Sequence, residues 1–379
     1  MTRNALLPTP VDTALIYIHS PRYAEIGAAL ERLPVTLLKL PYNRFFLPGH
    51  ALAITLRVPG VGEFFSRQAL ARIAALPQQR KIVLTDRLLL DSWFVERLKA
   101  MGCRYVVRLR GDAWRECDEV EQVRWWWTPG KAAWYRRVWF HNLEAADAIW
   151  PLARHLESVV LERCPGKPTA VVGSLRDLPS LPNAGLHPSP PVPGPDGGVG
   201  DVRVMTATVY MFRQKTAGVL RLYDLMEAAM GRWPGVTWSL CGDGRHFARS
   251  RARWQASPMR SRIEFPGRVA DLKRRMGKSH VFAYCSEMDV LPNVVLDAMA
   301  AGLPVLCNRW GSFPEIFAGE LDWCLYADEA EFLQKLERLA TDPEHWRRVA
   351  DAGIERVREM FSAERVREEL ERALAGLSA

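Results

Sequence analysis

Two carboxylates, Asp289 and Asp297, stand eight residues apart in a stretch that reads C-S-E-M-D-V-L-P-N-V-V-L-D-A-M-A-A-G-L-P-V-L-C-N-R-W-G-S-F-P-E from Cys285 to Glu315. Such a pair alone means little, because most are solvated surface charges. What lies between them gives it meaning. Pro292 suits the first turn of a helix, Asn293 can cap it, and Gly302 followed by Pro304 stops it. The first turn of a helix carries unpaired N–H groups and partial positive charge, so phosphates bind there. One acid just ahead of that turn and one a turn further along can bracket a nucleotide-sugar. The diphosphate would then meet the amides, and the hydroxyls of the two sugars would meet the acids.

The stretch resembles the donor-binding signature of retaining glycosyltransferases of the GT-B fold, in particular the large GT4 group. That signature has a Glu, seven residues and a second Glu, then A-M-A-x-G-x-P-V and a later G-G-x-x-E. Here Asp289 and Asp297 stand at the acid positions, Ala298 to Val305 supply the middle, and Gly311 to Glu315 close it. Both acids are one methylene shorter than Glu. Glu287 lies two residues too early for the spacing, so Asp289 is preferred. The resemblance implies that Asp297 binds the ribose hydroxyls and Asp289 a donor-sugar hydroxyl. It also implies phosphate or sugar contacts from the turn at Pro292, Asn293 and Val294, with Glu315 lining the donor pocket.

Other segments position this block. Val202 to Thr208 reads as a strand, followed by V-Y-M-F-R-Q-K-T-A-G and a helix from Val219. In the family this loop carries a basic residue and a Lys-Gly that grip the donor diphosphate. Lys215 matches the Lys, Arg213 is the nearest partner, and the Gly arrives late, at Gly218. Trp238 to Gly244 ends in Gly242-Asp243-Gly244, resembling a turn that passes close to the donor. Ile263 to Val269, with Arg268, resembles the loop lining the nucleobase pocket. A solvated basic turn is the plain alternative for Arg213 and Lys215.

The first half follows the fold pattern more than the motif. Strand-like runs at Thr13–Ile18, Pro34–Leu40, Lys81–Thr85 and Cys103–Leu109 alternate with helical ones at Gly62–Leu76 and Asp91–Met101. That alternation predicts a doubly wound parallel sheet. His19 ends the first strand, where a cleft residue and a hydrogen-bonded structural His are both open readings. Arg110 and Asp112 follow the fourth strand, where the family often carries a His. Arg cannot act as a base but can hold a phosphate or carboxylate. Arg110 and Asp112 therefore read as cleft residues at the reacting centre, with a structural ion pair as the alternative. Asn142 to Arg163 resembles a family strand-and-helix segment that closes this domain, with Ala170 to Gly173 as its last strand.

Val123 to Phe140 interleaves five Trp and one Tyr with Arg124, Lys131, Arg136 and Arg137. It suits an acceptor-side or membrane-facing surface, a nucleic-acid contact, or Trp packed onto the sheet. The Pro- and Gly-dense run 179–201 reads as a linker. The expected organisation is an acceptor-side domain over 1–178, that linker, a nucleotide-sugar domain over 202–360, and a last helix over 361–379 that returns to the first domain. The fold class is α/β: GT-B, two Rossmann-like doubly wound domains facing across a cleft.

Composition sets the bounds. The chain has 379 residues, 48% hydrophobic and 25% charged, enough for two domains with buried cores. No apolar run approaches the roughly 20 residues that span a bilayer, and no signal-like segment opens the chain, so a cytoplasmic location is expected, with attachment to the cytoplasmic membrane face left open. Seven scattered cysteines with no C-x-x-C argue against a disulfide framework or a zinc site. A net charge of +8 suits anionic partners without choosing among them.

The reading is a retaining glycosyltransferase using a nucleotide-diphosphate sugar as co-substrate, with no other cofactor and no metal, and an unidentified glycan, lipid-linked or other acceptor. A nucleic-acid acceptor, a nucleotide-sugar epimerase and a non-catalytic sugar-nucleotide-binding protein are the alternatives. The first is kept by the charge and the Trp-rich run, the second by a shared fold and donor site, the third by the two shortened acids and the missing His.

Overall fold

The aliphatic and β-branched runs of this chain form two parallel sheets, each in its own unit. The structure, a computed structural model, describes residues 12–19, 26–41, 61–86, 90–121, 131–175 and 188–377. The first unit comprises Met1–Leu175 and Ala363–Ala379, the second Arg176–Ser362.

In the first unit, β1 (Thr13–His19), β2 (Thr36–Pro41), β3 (Arg80–Thr85), β4 (Arg104–Leu109) and β5 (Ala148–Pro151) form one sheet in the order β2-β1-β3-β4-β5. Every pairing is parallel. Between and after them lie α1 (Gly27–Leu30), α2 (Val61–Ala74), α3 (Ser92–Ala100), α4 (Ala113–Glu121), α5 (Lys131–Ala145) and α6 (Arg154–Arg163). The side chain of Asp91 caps α3 by accepting from Trp93 N–H at 2.9 Å. Tyr17, in the middle of β1, is fully buried and donates to Asp86.

The second unit contains β6 (Val202–Val209), α7 (Arg213–Arg232), β7 (Val236–Asp243), α8 (Phe247–Ala256), β8 (Ile263–Gly267), α9 (Leu272–Met276), β9 (Val281–Tyr284), α10 (Asn293–Ala300), β10 (Val305–Asn308), α11 (Phe313–Ile316), β11 (Leu325–Tyr326), α12 (Glu329–Thr341) and α13 (Pro343–Phe361). Its sheet runs β11-β10-β9-β6-β7-β8, also parallel throughout. The chain winds outward from β6 through β7 to β8. It then returns to the other side of β6 and winds outward again from β9 to β11. The switch point therefore lies between β6 and β9, and the carboxyl ends of these two strands form the crevice where doubly wound sheets take ligands.

The final helix, α14 (Ala363–Gly376), returns to the first unit, where Val366, Leu370 and Ala373 join a core with Leu15, Tyr17 and Trp150. Among the described residues no helix is long and apolar enough to cross a membrane.

Three local expectations change. The helix after β6 starts at Arg213, six residues before Val219, because nothing in R-Q-K-T-A breaks it. Residues 170–173 are not a strand. Only Thr169 bridges to Ile149, and the carbonyls of Val172 and Gly173 accept instead from the Arg108 side chain. Residues 188–201 group with the second unit. Trp125, Trp126 and Trp127, and the first part of the Pro/Gly-rich run, lie outside the described residues.

Candidate active site

Asp289 is the centre of a polar cluster at the carboxyl end of β9. Lys215 Nζ stands 2.6 Å from its Oδ1. Its Oδ2 accepts from Tyr284 OH at 2.7 Å and from Ser286 Oγ–H at 2.8 Å. Ser286 Oγ in turn accepts from the backbone N–H of Asp289 at 3.1 Å. The loop is pinned from β10: Asn308 Oδ1 accepts from Ser286 N–H at 2.9 Å, and Asn308 Nδ2 donates to Ser286 O at 3.1 Å. Tyr284 is buried, and burial, then the charge on Asp289, holds its phenol well above the ordinary range. It therefore stays a donor to the carboxylate at any working pH.

Lys215 reaches Asp289 because α7 lies against the loop after β9 with no side chain between them. A Cβ built on Gly218 would sit 2.1 Å from the carbonyl oxygen of Cys285. Three residues on along the same helix face, Arg221 pairs with Glu287. Glu287 and Asp289 thus meet different cations, an exposed one and a partly buried one. The late glycine of the loop motif has a packing duty: it lets the helix touch the signature loop.

Arg213 is the first residue of α7 and is exposed; Lys215 is the third. Both therefore lie in a helical first turn, not in a loop. Pro292 and Asn293 exchange their expected places. Pro292 is the N-cap, at φ −72° and ψ 113°, and Asn293 is the first helical residue. A proline fits there because its missing N–H has no partner to lose and its ring holds φ near the observed value. The loop before it is tied down by Ser312 Oγ–H donating to Val290 O. Val294 and Asp297 are half-buried, Asp297 opening the second turn of α10.

Two helices, α7 and α10, thus begin at the carboxyl ends of the strands flanking the switch point. Each presents the positive end of its backbone there, with Lys215 and Arg213 adding formal charge.

Gly242, the penultimate residue of β7, and Gly244, just beyond the strand, have φ of 142° and 147°. A Cβ on Gly242 would lie 2.0 Å from Thr208 O, and one on Gly244 2.7 Å from Tyr210 C. These glycines let the turn lie against the end of β6. Arg268 follows β8 and is exposed. Glu315 lies in α11, half-buried, and its carbonyl accepts from Arg356 at 2.6 Å.

Arg110, Asp112 and His19 belong to the first unit. Asp112 caps α4, its Oδ1 accepting from Trp114 N–H at 3.1 Å and Arg115 N–H at 3.0 Å. Arg110 follows β4 and is half-buried. His19 stacks on Tyr17, ring centroids 5.3 Å apart, and its Nδ1 has no partner among the described residues. Tyr284, Ser286 and Asn308 were not among the sequence candidates. Their signal, polar residues flanking an acid at a strand end, is common in loops of every kind.

Residues 206–342 match the family model described as Glycosyl transferases group 1. Over 147 residues the chain is 29% identical to the lipopolysaccharide core biosynthesis glycosyltransferase LpsE of Rhizobium meliloti (strain 1021), covering 38% of this chain and 43% of that protein. The chain thus spans less than half the length of this curated relative. Among solved structures, Anabaena Alr3699/HepE in complex with UDP is similar with a TM-score of 0.62 at 12% identity, over 96% of this chain and 99% of that one. The lipopolysaccharide outer core galactosyltransferase WaaB, apo form, is similar with a TM-score of 0.61 at 12% identity, over 95% and 99%. Residues 206–342 of this chain are a Glycosyl transferases group 1 domain, carried on a GT-B fold.

Proposed function

We propose that this protein is a retaining glycosyltransferase that moves a sugar from a nucleotide-diphosphate sugar to an acceptor hydroxyl without a metal ion. The carrying observation is the Lys215–Asp289 pair at the switch point of the second sheet, within the segment that matches the family model.

The diphosphate sits over the first turns of α7 and α10, where backbone N–H groups, Lys215 and Arg213 compensate the charge that grows as the phosphate leaves. These residues supply the positive charge a metal would otherwise bring. No cofactor beyond the nucleotide-sugar takes part. A carboxylate has about four acceptor directions. In Asp289 three are filled, by Lys215, Tyr284 and Ser286, and the fourth takes a donor-sugar hydroxyl. Asp297, a turn along α10, takes the ribose hydroxyls. The bond from the anomeric carbon to the phosphate oxygen breaks. The acceptor oxygen bonds to that carbon on the same face, and its proton passes to the leaving phosphate. The acceptor is a glycan, a lipid-linked glycan or another hydroxyl.

The test is mass-spectrometric turnover of UDP-, GDP- and ADP-sugars by the purified protein, without acceptor or metal, beside Asp297→Ala. UDP-sugars come first because the Anabaena neighbour was solved with UDP. Slow release of free sugar and nucleotide, lost in the variant, supports the transferase. An epimerised nucleotide-sugar replaces it with an isomerase. Binding of a donor with no turnover, with and without acceptors, replaces it with a non-catalytic binding protein.

A further inference from the structure

Buried parallel strands read as continuous apolar runs because helices cover both faces. The amino-terminal halves of β6, β7 and β8 depart from this. Buried Val202, Val204, Val236, Trp238 and Ile263 alternate with exposed or half-exposed Arg203, Thr237, Ser239 and Glu264. One face of the sheet is therefore polar and open here. The helix that follows β8, α9, has five residues and does not cover it. The result is a groove of about 1060 Å³ between these strands and the segment around α9.

The groove is rimmed by Arg203, Arg262, Arg274 and Lys278. None of the four forms an ion pair among the described residues, and the nearby acids are engaged elsewhere. Glu264 is held by Arg275 at 2.6 Å and by Ser239 Oγ–H at 2.9 Å. Asp271 caps α9, accepting from Arg274 N–H at 2.9 Å. Backbone carbonyls fix two of the guanidinium groups: Arg203 Nε donates to Lys278 O at 2.5 Å, and Arg262 to Trp233 O and Pro234 O at 3.2 and 3.1 Å. Their remaining N–H groups meet no carboxylate among the described residues. Guanidinium forks, two of them fixed, and an exposed ammonium are the chemistry that binds phosphate oxygens.

We propose that this groove binds an oligoanion carrying closely spaced phosphate groups, separately from the donor nucleotide. Arg203 stands at the amino end of β6 and Lys215 beyond its carboxyl end. Six strand residues at ~3.3 Å each place the two sites about 20 Å apart. The groove does not depend on the transferase reading.

Isothermal titration calorimetry of the full chain with sodium tripolyphosphate tests it, with Arg274→Glu/Lys278→Glu and Lys215→Gln measured in parallel. Both groove side chains are exposed and unpaired, so the double variant keeps its fold, which circular dichroism checks. The expected result is saturable binding, weakened by added salt, that falls at least tenfold in the groove variant and survives in Lys215→Gln. Unchanged binding in the groove variant overturns the proposal, as does loss confined to Lys215→Gln. Duplex DNA bound through the same two residues more than tenfold more tightly than tripolyphosphate also overturns it, in favour of a nucleic-acid surface. Co-sedimentation with phosphatidic acid vesicles, lost in the groove variant, supports it and names a lipid headgroup as the source. Tripolyphosphate binding without co-sedimentation supports it with a soluble phosphate ligand.

Discussion

Lys215 Nζ and Asp289 Oδ1 lie 2.6 Å apart and join the helix after β6 to the loop after β9, across the switch point of the sheet. Their side chains are 21% and 12% exposed, too enclosed for solvent to stand in for a missing partner. Lys215→Ala therefore has two expected effects. Donor turnover falls by about 10²–10³ in kcat, the loss typical of removing one preorganised group that meets developing charge. Stability falls by about 1–3 kcal/mol, because Asp289 is left without its cation. Steady-state kinetics and thermal unfolding check the two separately. Unchanged kcat with lowered stability would leave the pair as a structural strut.

Tyr284→Phe and Ser286→Ala each remove one hydrogen bond to Asp289 Oδ2 and leave Lys215 in place. On the proposed reading both residues position the acid without meeting the donor, so each is expected to lower kcat/KM about ten- to a hundredfold, roughly what a hydrogen bond to a charged group is worth. The double variant should lose more than the product of the singles, since the two hydroxyls share one oxygen. Kinetics of the four-member cycle decide it, and strict additivity would mean the hydroxyls act separately.

Gly218 and Gly231 both lie in α7 and predict opposite signs. A Cβ at 218 would be 2.1 Å from Cys285 O, a backbone atom, whereas at 231 it would be 3.8 Å from the flexible end of Met259. Gly218→Ala should destabilise by about 1–3 kcal/mol through overpacking and reduce turnover, because it pushes α7 off the loop that holds Asp289. Gly231→Ala should stabilise by about 0.5–1 kcal/mol, the ordinary helix gain. Thermal melts of the two variants give the comparison.

The sequence made some of this legible. The run from Asp289 to Glu315 carries a motif dense enough to place a strand end, a helix start and a helix stop. Lys215 was legible through the resemblance of its segment to the family's diphosphate loop. Its place inside a helix was not, because V-Y-M-F ahead of it gives no capping side chain, and the structure finds none at Phe212. Asn293 and Pro292 changed places because both residue types suit either side of a helix start. Asn308 was invisible because its duty depends on β9 and β10 being neighbours. That pairing is a fact of topology, and no local pattern carries it. Asp112 looked like a cleft residue and caps a helix, a role that its place just ahead of Ala113 and Trp114 also allowed.

His280 makes stability depend on pH. It is buried, its Nδ1 accepts from Arg203 N–H at 3.2 Å, and its pKa is pushed down to about 4 by burial and then by Arg203. In the unfolded chain it titrates near the ordinary value of about 6.5. Between those values the unfolded state binds more protons than the folded one, so stability rises with pH. The contribution is fully present above about pH 6.5 and is lost as pH falls towards 4. Its ceiling is about 3 kcal/mol. Denaturant unfolding at pH 7, 5.5 and 4.5 should show this slope in the wild type and a flatter one in His280→Asn. Equal slopes would mean that other groups set the acid limit.

Arg108 and Asp86 form the most enclosed charge pair described, with side chains 0% and 1% exposed and 3.3 Å between Nη1 and Oδ1. The rest of the guanidinium is also engaged, donating to Val172 O, Gly173 O and Ser174 Oγ. Gly173 N–H in turn donates to Glu369 of α14 at 2.9 Å. The arginine therefore holds the last described segment of the first unit before the chain crosses over, and the helix that returns from the second unit is tied to the same segment. Arg108→Met leaves a buried carboxylate whose remaining partner among the described residues is Tyr17 OH, and it takes a donor from three acceptors. The expected cost is about 3–5 kcal/mol, or roughly 10 °C in the melting temperature of a unit this size. Asp86→Leu in the same chain should recover part of it, because removing both charges avoids the unpaired one. Calorimetry of the single and double variants checks this. A double variant no more stable than Arg108→Met would show that the arginine matters for its carbonyl contacts and not for its charge.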